Sequence, residues 1–276
     1  MTYKTITIKV KSVDYIINYK KDVLQLDELL FNESCEQVIG SALLRDGVIG
    51  NSSTIGTLRE KTVHAVVKKY IEPDSSNHEI KIGQYHADIV NDKGIFEVQT
   101  GSFNNLRKKL SSMLDLQPIT IVYPIPHIKM IYWIDKDTGE ISKPRKSTKT
   151  GSPYFIFREL YKIKPYLNHS NIKFHIILMN VDEYRLLDGW SKDKKSGATK
   201  CDRIPTKLIS EMKIESLKDY DIFIPDKLIE PFTVKDFKLA TKTCIRDAQA
   251  TVHILHYLGL IDRIGKKGRA YLYSRK

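Results

Sequence analysis

The chain has 276 residues, of which 41% are hydrophobic and 28% are charged, a composition typical of a folded protein of one or two domains. It contains no apolar run near the roughly 20 residues of a membrane helix, no signal-peptide pattern, and only three widely spaced cysteines, so the sequence predicts a cytoplasmic protein without a disulfide framework. Forty-five Lys and Arg residues against 33 Asp and Glu residues give a formal net charge of +12, which favours a polyanionic partner such as nucleic acid.

The order of predicted elements indicates an α/β fold. Residues 1–50 form an N-terminal extension with a strand pair and a helix, and residues 51–180 form the main domain, with residues 181–230 as a connecting segment. Within the main domain the order is helix, strand, strand, helix, strand, followed by additions, which predicts a mixed sheet flanked by helices. The clearest elements are a helix at Leu58–Ile71 and two buried strands at Ile119–Tyr123 and Phe174–Met179.

The stretch from Gln84 to Gly101 carries the strongest chemical signal. It predicts two strands joined by a turn at Asp92-Lys93-Gly94, with Asp88 in the first strand and Glu97 and Gln99 in the second. Alternation along the strand turns Glu97 and Gln99 to one face and Phe96 and Val98 to a core. Folding back the hairpin brings Asp88 beside Glu97, and two converging carboxylates favour Mg²⁺. The alternative is a strand-end Asp and a solvated Glu.

Glu60 is the third candidate carboxylate. In the predicted helix it shares the inward side of Val63 and Val67, where a carboxylate needs a partner such as a metal or its bound water. The alternative is a favourable position in the first turn of the helix, close to the positive end of its dipole.

The segment from Glu60 to Gln99 resembles the core of the PD-(D/E)XK nuclease superfamily. In that family a helix supplies a Glu, a strand supplies an Asp, and the next strand supplies Asp or Glu, any residue, then Lys. The resemblance covers about residues 55–180 and implies a restriction-endonuclease-like fold. It implies Mg²⁺, or Mn²⁺ in its place, held by Asp88 and Glu97, and catalysis by Glu60, Asp88, Glu97 and Gln99.

Gln99 departs from the family pattern, because Gln cannot supply the positive charge of the usual Lys. Lys93 and Lys81 are the candidates for that charge. His64 and His86 could approach the site, although a lone His is more often packed or solvated. The sequence is also similar to bacterial hypothetical proteins that share the segments Gly56–Lys61 and Glu97–Gly101, a similarity that brings no activity with it.

Residues 231–276 differ from the rest of the chain in charge and in the order of their predicted elements. They carry ten Lys and Arg residues against three Asp residues and no Glu, in the order helix, helix, strand, basic turn at Gly265–Arg269, strand. The second helix, Thr243–Tyr257, has an apolar face at Ile245, Ala248, Val252 and Leu255. In this order and charge the segment resembles a winged helix-turn-helix domain. The resemblance implies base contacts by Arg246, Gln249 and His253 and phosphate contacts by Lys266, Lys267 and Arg269. The alternative is a helical cap or a protein-docking module.

The sequence therefore predicts a Mg²⁺-dependent DNA endonuclease with a winged-helix DNA-binding domain in a bacterial cytoplasm. The second hypothesis is a non-catalytic DNA-binding protein or regulator with a degenerate nuclease fold. RNA remains an alternative substrate, and the sequence is compatible with a homodimer. Two basic loops, Lys143–Lys149 and Lys192–Lys200, are either solvated or phosphate-binding.

Overall fold

The computed structural model describes residues 5–10, 13–18, 28–46, 62–189 and 197–276. At the N-terminus, β1 (Thr5–Val10) and β2 (Val13–Asn18) form an antiparallel pair, and α1 (Glu28–Asp46) follows them. These three elements agree with the strand pair and helix expected in residues 1–50. No helix in the described ranges is both long and apolar enough to cross a lipid bilayer.

A seven-stranded mixed sheet forms the centre of the molecule, in the order β3-β4-β5-β6-β8-β9, with β7 paired to β6. The β5–β6 and β6–β8 pairs are parallel, and the others are antiparallel. The predicted α/β class with a mixed sheet flanked by helices is confirmed. The strands are β3 (His78–Ile82), β4 (Tyr85–Asn91), β5 (Gly94–Val98), β6 (Ile119–Asp135), β7 (Arg145–Lys146), β8 (Ile172–Leu187) and β9 (Thr199–Ile214).

Both faces of the central strands are apolar because helices cover both sides. Successive strand residues point to opposite faces, and Ile121 and Val122 belong to different buried clusters. The Val122 cluster packs against α1 and α2 (Thr62–Ile71). The Ile121 cluster packs against α3 (Arg107–Met113) and α4 (Ile156–Leu160).

Three elements differ from the prediction. The buried strands expected at Ile119–Tyr123 and Phe174–Met179 extend to Asp135 and Leu187, although Pro124 and Pro126 interrupt the donor pattern of β6. The ladder continues past both prolines, with a register irregularity between Pro126 and Lys129. The helix expected at Tyr154–Leu167 is α-helical only in α4, with 3₁₀ turns on both sides and Pro165 in the second.

The expected connecting segment, residues 181–230, contains a full strand of the sheet. Strand β9 pairs with β8 over most of its length. It lies at an edge of the sheet, where polar side chains are tolerated on both faces of the strand. Its sequence therefore lacks the alternation of polar and apolar residues that is typical of a strand.

The C-terminal residues have the predicted order of elements. Helices α5 (Val234–Thr241) and α6 (Ile245–Tyr257) are followed by the hairpin of β10 (Ile261–Lys267) and β11 (Ala270–Arg275). The basic turn is shorter than predicted, because Lys266 and Lys267 belong to β10 and the chain reverses at Gly268, whose φ is +60°. Ile245 is exposed, and the buried face of α6 instead includes Asp247 and Thr251.

This C-terminal unit shares its hydrophobic core with the sheet. Phe232, Phe237 and Val252 belong to the same buried cluster as Phe157 and Ile121. The predicted boundary at residue 231 is therefore not a boundary between two cores.

Candidate active site

Asp88 and Glu97 lie where β4 and β5 separate. The pairing between β4 and β5 ends at Ile89 and Phe96, and Asp88 and Glu97 are the next residue on each strand. Beyond them, the backbone N–H of Val98 donates to Oδ2 of Asp88 at 2.7 Å, and the backbone N–H of Asp88 donates to the Glu97 carboxylate. The two carboxylates thus accept the hydrogen bonds that a continued strand pair would have made, which holds both side chains at the gap between the strands.

Lys109 is the cation of this site. It projects from α3, and its Nζ lies 2.7 Å from both oxygens of Glu97 and 2.5 Å from the carbonyl oxygen of His86. Glu97 is only 5% exposed. Burial and the charge of Asp88 raise the pKa of Glu97 to about 7, although Lys109 opposes the shift. Glu97 is therefore poised between its neutral and ionised forms at neutral pH.

Asp88 reaches towards a different helix. Its Oδ2 lies 3.2 Å from Nε2 of His64 in α2. Because α2 and α3 pack against opposite faces of the sheet, the Asp88 and Glu97 side chains lean to opposite sides of the gap while remaining linked through the backbone of Asp88. His64, which the sequence interpretation set aside, thus contacts the site directly.

Gln99 uses its amide nitrogen elsewhere. Nε2 of Gln99 donates to the carbonyl oxygen of Ser102 at 2.9 Å, and Nζ of Lys162 lies 3.0 Å from the Ser102 hydroxyl. The backbone N–H of Gln99 pairs with Val122 at 2.8 Å. These contacts hold the loop that follows β5, so the Gln99 donor faces that loop and not the Glu97 carboxylate.

The structure does not place the remaining predicted residues, Glu60, Lys93 and Lys81, beside the carboxylates within the described residues. Glu60 lies outside the described residues. Lys93 is exposed at the β4–β5 turn, at the opposite end of the hairpin from Glu97. Lys81 is an exposed residue of β3 and is paired with His86 of β4. Neither makes a described ion pair with the carboxylates. The signal for Lys109 was the basic run Arg107–Lys109 at the start of α3, directly after the strand and loop that carry Glu97.

The described residues alone do not complete a metal site. Within 62–189 and 197–276, no group of three or more His, Cys, Asp or Glu side chains is arranged to hold a metal ion. Asp88 and Glu97 offer the hard oxygen donors that Mg²⁺ prefers, and backbone carbonyls and water are the usual complements to such a pair.

The predicted nucleic-acid contacts on α6 are all exposed. Arg246, Gln249 and His253 follow one stripe of the helix. The His253 ring, however, lies 5.0 Å from the ring of Tyr161, next to α4. Burial, followed by the nearby charge of Lys164, lowers the pKa of His253. The ring of His253 is therefore already engaged in an intramolecular contact.

The hairpin β10–β11 presents the other predicted contacts. Lys266 and Lys267 are exposed on β10, and Arg269 is exposed at the turn. Nζ of Lys266 lies 5.0 Å from the centre of the Tyr271 ring, and Arg263 lies 3.8 Å from the same ring. The hairpin therefore offers several cations around one aromatic side chain, an arrangement suited to a phosphate backbone.

An ion pair with one buried partner joins α6 to the sheet domain. Arg158 of α4 pairs through Nε with Asp247, whose side chain is 2% exposed. The Cys244 thiol donates to Asp247 at 3.0 Å. The next residue after Arg158 is Glu159, which accepts a hydrogen bond from the backbone N–H of Phe103 at 2.9 Å. One short helix therefore contacts both the C-terminal unit and the loop beyond β5.

Comparisons with known proteins identify a family without indicating an activity. A family described as "Domain of unknown function (DUF8091)" matches residues 61–215. An "Uncharacterized protein" of Treponema pallidum (strain Nichols) is 27% identical over 236 residues, which cover 81% of this chain and 88% of that protein. No solved structure matches the chain.

Proposed function

The chain belongs to the DUF8091 family, and we propose that it is a metal-dependent nuclease of the PD-(D/E)XK type that hydrolyses DNA in the cytoplasm. The observation that carries the proposal is the position of Lys109. Its ammonium is 2.7 Å from both oxygens of Glu97, next to Asp88. A cation from the helix after the strand thus accompanies the acidic pair, which compensates for Gln99 at the position of the usual Lys.

Each residue of the pair has a distinct role in this proposal. Asp88 and Glu97 would hold Mg²⁺, or Mn²⁺, which supplies Lewis-acid stabilisation of the phosphate and a more acidic attacking water. Lys109 stabilises negative charge that develops on the phosphate. His64 holds the Asp88 carboxylate from the side of α2. Glu97 binds a cation best in its ionised form, and its raised pKa places that form above about pH 7.

The C-terminal unit would supply DNA binding as a winged helix. Support comes from its helix, helix, hairpin order and from the exposed Arg246 and Gln249 on α6. Exposed Lys266, Lys267 and Arg269 on the hairpin would contact phosphates. His253 is less suited to base contacts because its ring lies against Tyr161.

A second candidate function is DNA binding without catalysis. The observation that favours it is that both carboxylates already have protein partners, since His64 contacts Asp88 and Lys109 contacts Glu97. Such pairing would stabilise the fold without any metal. The two functions differ in one measurable property, which is cleavage that depends on a divalent cation.

The test is cleavage of supercoiled plasmid and of duplex RNA by the full chain with Mg²⁺, with Mn²⁺ and with EDTA. The nuclease proposal predicts nicking of DNA with either metal, none in EDTA, and none by Glu97→Gln. Glu140→Gln, in an exposed turn, is the matched control and should cleave like the natural chain. Equal cleavage in EDTA or by Glu97→Gln would contradict the proposal. Metal-dependent cleavage confined to RNA would change the substrate, and binding without cleavage across varied DNA sequences would favour the second function.

A further inference from the structure

The distal halves of the long strands carry a cluster of cations on one face. Residue pairing places Arg145 of β7 opposite Ile131 of β6, Ile131 opposite Glu183 of β8, and Glu183 opposite Arg203 of β9. Paired residues share a face of the sheet. The same face therefore includes Lys129 and Arg185, two residues from Ile131 and Glu183, and Lys200, which is paired with Arg185. We define the distal face as Lys129, Arg145, Glu183, Arg185, Lys200 and Arg203.

Glu183 is the anion at the centre of the distal face and is fully buried. It accepts hydrogen bonds from Nε of Arg185 and Nε of Arg203, each at 2.8 Å, and lies 3.7 Å from Nζ of Lys129. Burial alone would raise its pKa, but the two guanidinium groups and Lys129 together lower the pKa of Glu183 to about 2. Glu183 is therefore ionised at any working pH and holds two guanidinium groups in fixed orientations.

The distal face carries more positive charge than its fold requires. Its five cations against one carboxylate leave four positive charges uncompensated within the face. Burial, together with repulsion from Arg203, Arg185 and Lys200, lowers the pKa of Lys129 despite the attraction of Glu183. One cation would have been enough to neutralise Glu183, so the described residues leave a positive surplus on this face that a bound anion would relieve.

The acidic residues near the distal face in the described part of the chain have other partners. Asp182 accepts a hydrogen bond from Tyr132, and Asp202 contacts the first residue of α2. Asp202 accepts a hydrogen bond from the backbone N–H of Thr62 at 3.3 Å. Asp135 lies at the end of β6, where its carboxylate accepts from the backbone N–H groups of Asp137 and Thr138 in the following turn.

We propose that the distal face binds the phosphodiester backbone of a nucleic acid, as a surface separate from the Asp88–Glu97 pair and from the C-terminal unit. Arg145 and Lys200 lie on strands three positions apart, or about 14 Å. A single phosphate cannot span that width, whereas successive phosphates of a backbone can. Fixed guanidinium groups suit phosphate oxygens, and the Trp133 ring, 5.3 Å from the Arg185 guanidinium, supports that group. The inference shares with the proposed function only the choice of nucleic acid as ligand.

The test compares binding of a labelled 30-base-pair DNA duplex, and of an RNA duplex of the same sequence, to the full chain in EDTA at several salt concentrations. Arg145→Glu with Lys200→Glu changes two exposed side chains that make no ion pair in the described ranges. This variant should weaken binding at low salt at least tenfold. It should also make the plot of log affinity against log salt less steep by about 2, since each lost phosphate contact removes about 0.9 from the slope. Arg145→Gln with Lys200→Gln should give the same change of slope.

The matched control is Lys218→Glu with Lys227→Glu, which changes two exposed lysines outside the distal face by the same total charge. It should leave the slope within about 0.5 of the natural value, and far-ultraviolet circular dichroism should be the same for all variants. A less steep salt dependence of the distal-face variants with either duplex supports the inference, and the duplex that shows it identifies the nucleic acid. Failure of the natural chain to bind either duplex, or equal effects of the distal and control variants, would overturn it. Cleavage is not measured here, so a lack of nuclease activity would count only against the proposed function.

Discussion

At the scale of single residues, the contact between Lys109 and Glu97 could not be predicted from the sequence. Strand parity was enough to place Glu97 opposite the Phe96 and Val98 face, and the hairpin turn was enough to bring Asp88 and Glu97 to neighbouring positions. Neither was enough to predict that the two side chains turn towards different helices. Lys109 follows Glu97 by 12 residues, after a loop and the start of a helix. Neither the strand periodicity nor the helix periodicity predicts the position of its ammonium group relative to Glu97. His64 was visible one turn after Glu60, but only the packing of α2 shows that it contacts Asp88.

We expect Lys109→Met to reduce metal-dependent cleavage by at least about 100-fold, because one preorganised charge at a phosphate is worth that much in comparable sites. Lys108→Met, at the exposed neighbouring position, should retain natural activity. The measurement is the initial rate of plasmid nicking at saturating Mg²⁺. Full activity of Lys109→Met would show that the ion pair with Glu97 is structural only.

The raised pKa of Glu97 predicts a loss of stability as pH rises. Its folded pKa is about 7 against an ordinary value of 4.5, so the folded chain binds more protons than the unfolded chain between those values. The free energy of unfolding should therefore fall from about pH 5 to pH 8, by at most about 3 kcal/mol. Glu97→Gln removes this titration, and its stability relative to the natural chain should increase with pH.

Urea unfolding in EDTA at several pH values measures this difference. Glu140→Gln is the control, and its stability should follow that of the natural chain at every pH. If the Glu97→Gln and natural curves stay parallel from pH 5 to pH 8, Glu97 does not titrate in this range.

At the scale of elements, the prediction succeeded where one periodicity dominated and failed where strand position changed the pattern. The β4–β5 hairpin lies where its pattern predicts it, and α6 buries Ala248, Val252 and Leu255 as predicted. Strand β9 was missed because it lies at an edge, and the length of β6 was missed because Pro124 and Pro126 are normally strand breakers. Asp247 on the buried side of α6 was also unexpected, because its partner Arg158 is 89 residues earlier in the chain.

We expect Asp247→Ala to destabilise the chain by about 1–3 kcal/mol, since it removes the partner of the buried Arg158 Nε, although the Arg158 side chain as a whole is 37% exposed. Asp262→Ala, an exposed acidic position on β10, should change stability by less than about 0.5 kcal/mol. Urea unfolding gives both values. Adding Arg158→Ala to Asp247→Ala should recover part of the loss, and strictly additive effects would show that the two side chains are not coupled.

The hairpin lysines predict a separate effect on DNA binding. Lys266→Glu with Lys267→Glu in the full chain should weaken binding to all duplex sequences alike and reduce the salt dependence by about 2 in slope. Arg246→Ala should instead reduce any sequence preference, by about 1–3 kcal/mol for a base contact. Titration of several duplexes measures both. Unchanged DNA binding by the Lys266→Glu, Lys267→Glu variant would favour the protein-docking alternative for the C-terminal unit.

At the scale of the whole molecule, the C-terminal unit and the sheet form one core, which the local patterns could not reveal. Composition and charge set residues 231–276 apart in the sequence, whereas Phe232, Phe237 and Val252 pack into the cluster of Phe157. Burial of side chains from distant segments depends on the complete fold, so a change in composition along the chain does not locate a boundary between cores.

We expect the described sheet domain and C-terminal unit to unfold together. Deleting residues 231–276 would remove Phe237 from the ring of Tyr154 and α6 from α4, so the shortened chain should aggregate or melt more than 10 °C below the full chain, as a loss of several kcal/mol implies. Thermal melting followed by near- and far-ultraviolet circular dichroism tests both points. A soluble shortened chain with an unchanged melting temperature would show that the two parts are independent.

The shared core also constrains how this protein can change during evolution. A C-terminal unit acquired from another gene by recombination would bring side chains selected against a different neighbour. Phe237 would have to fit Tyr154, and Asp247 would have to fit Arg158, at the same time. Exchange of whole segments is therefore disfavoured, and new binding preferences are more readily acquired by single substitutions at exposed positions such as Arg246 and Gln249. Relatives of this chain should accordingly inherit residues 62–276 as a unit and diverge along the outer stripe of α6.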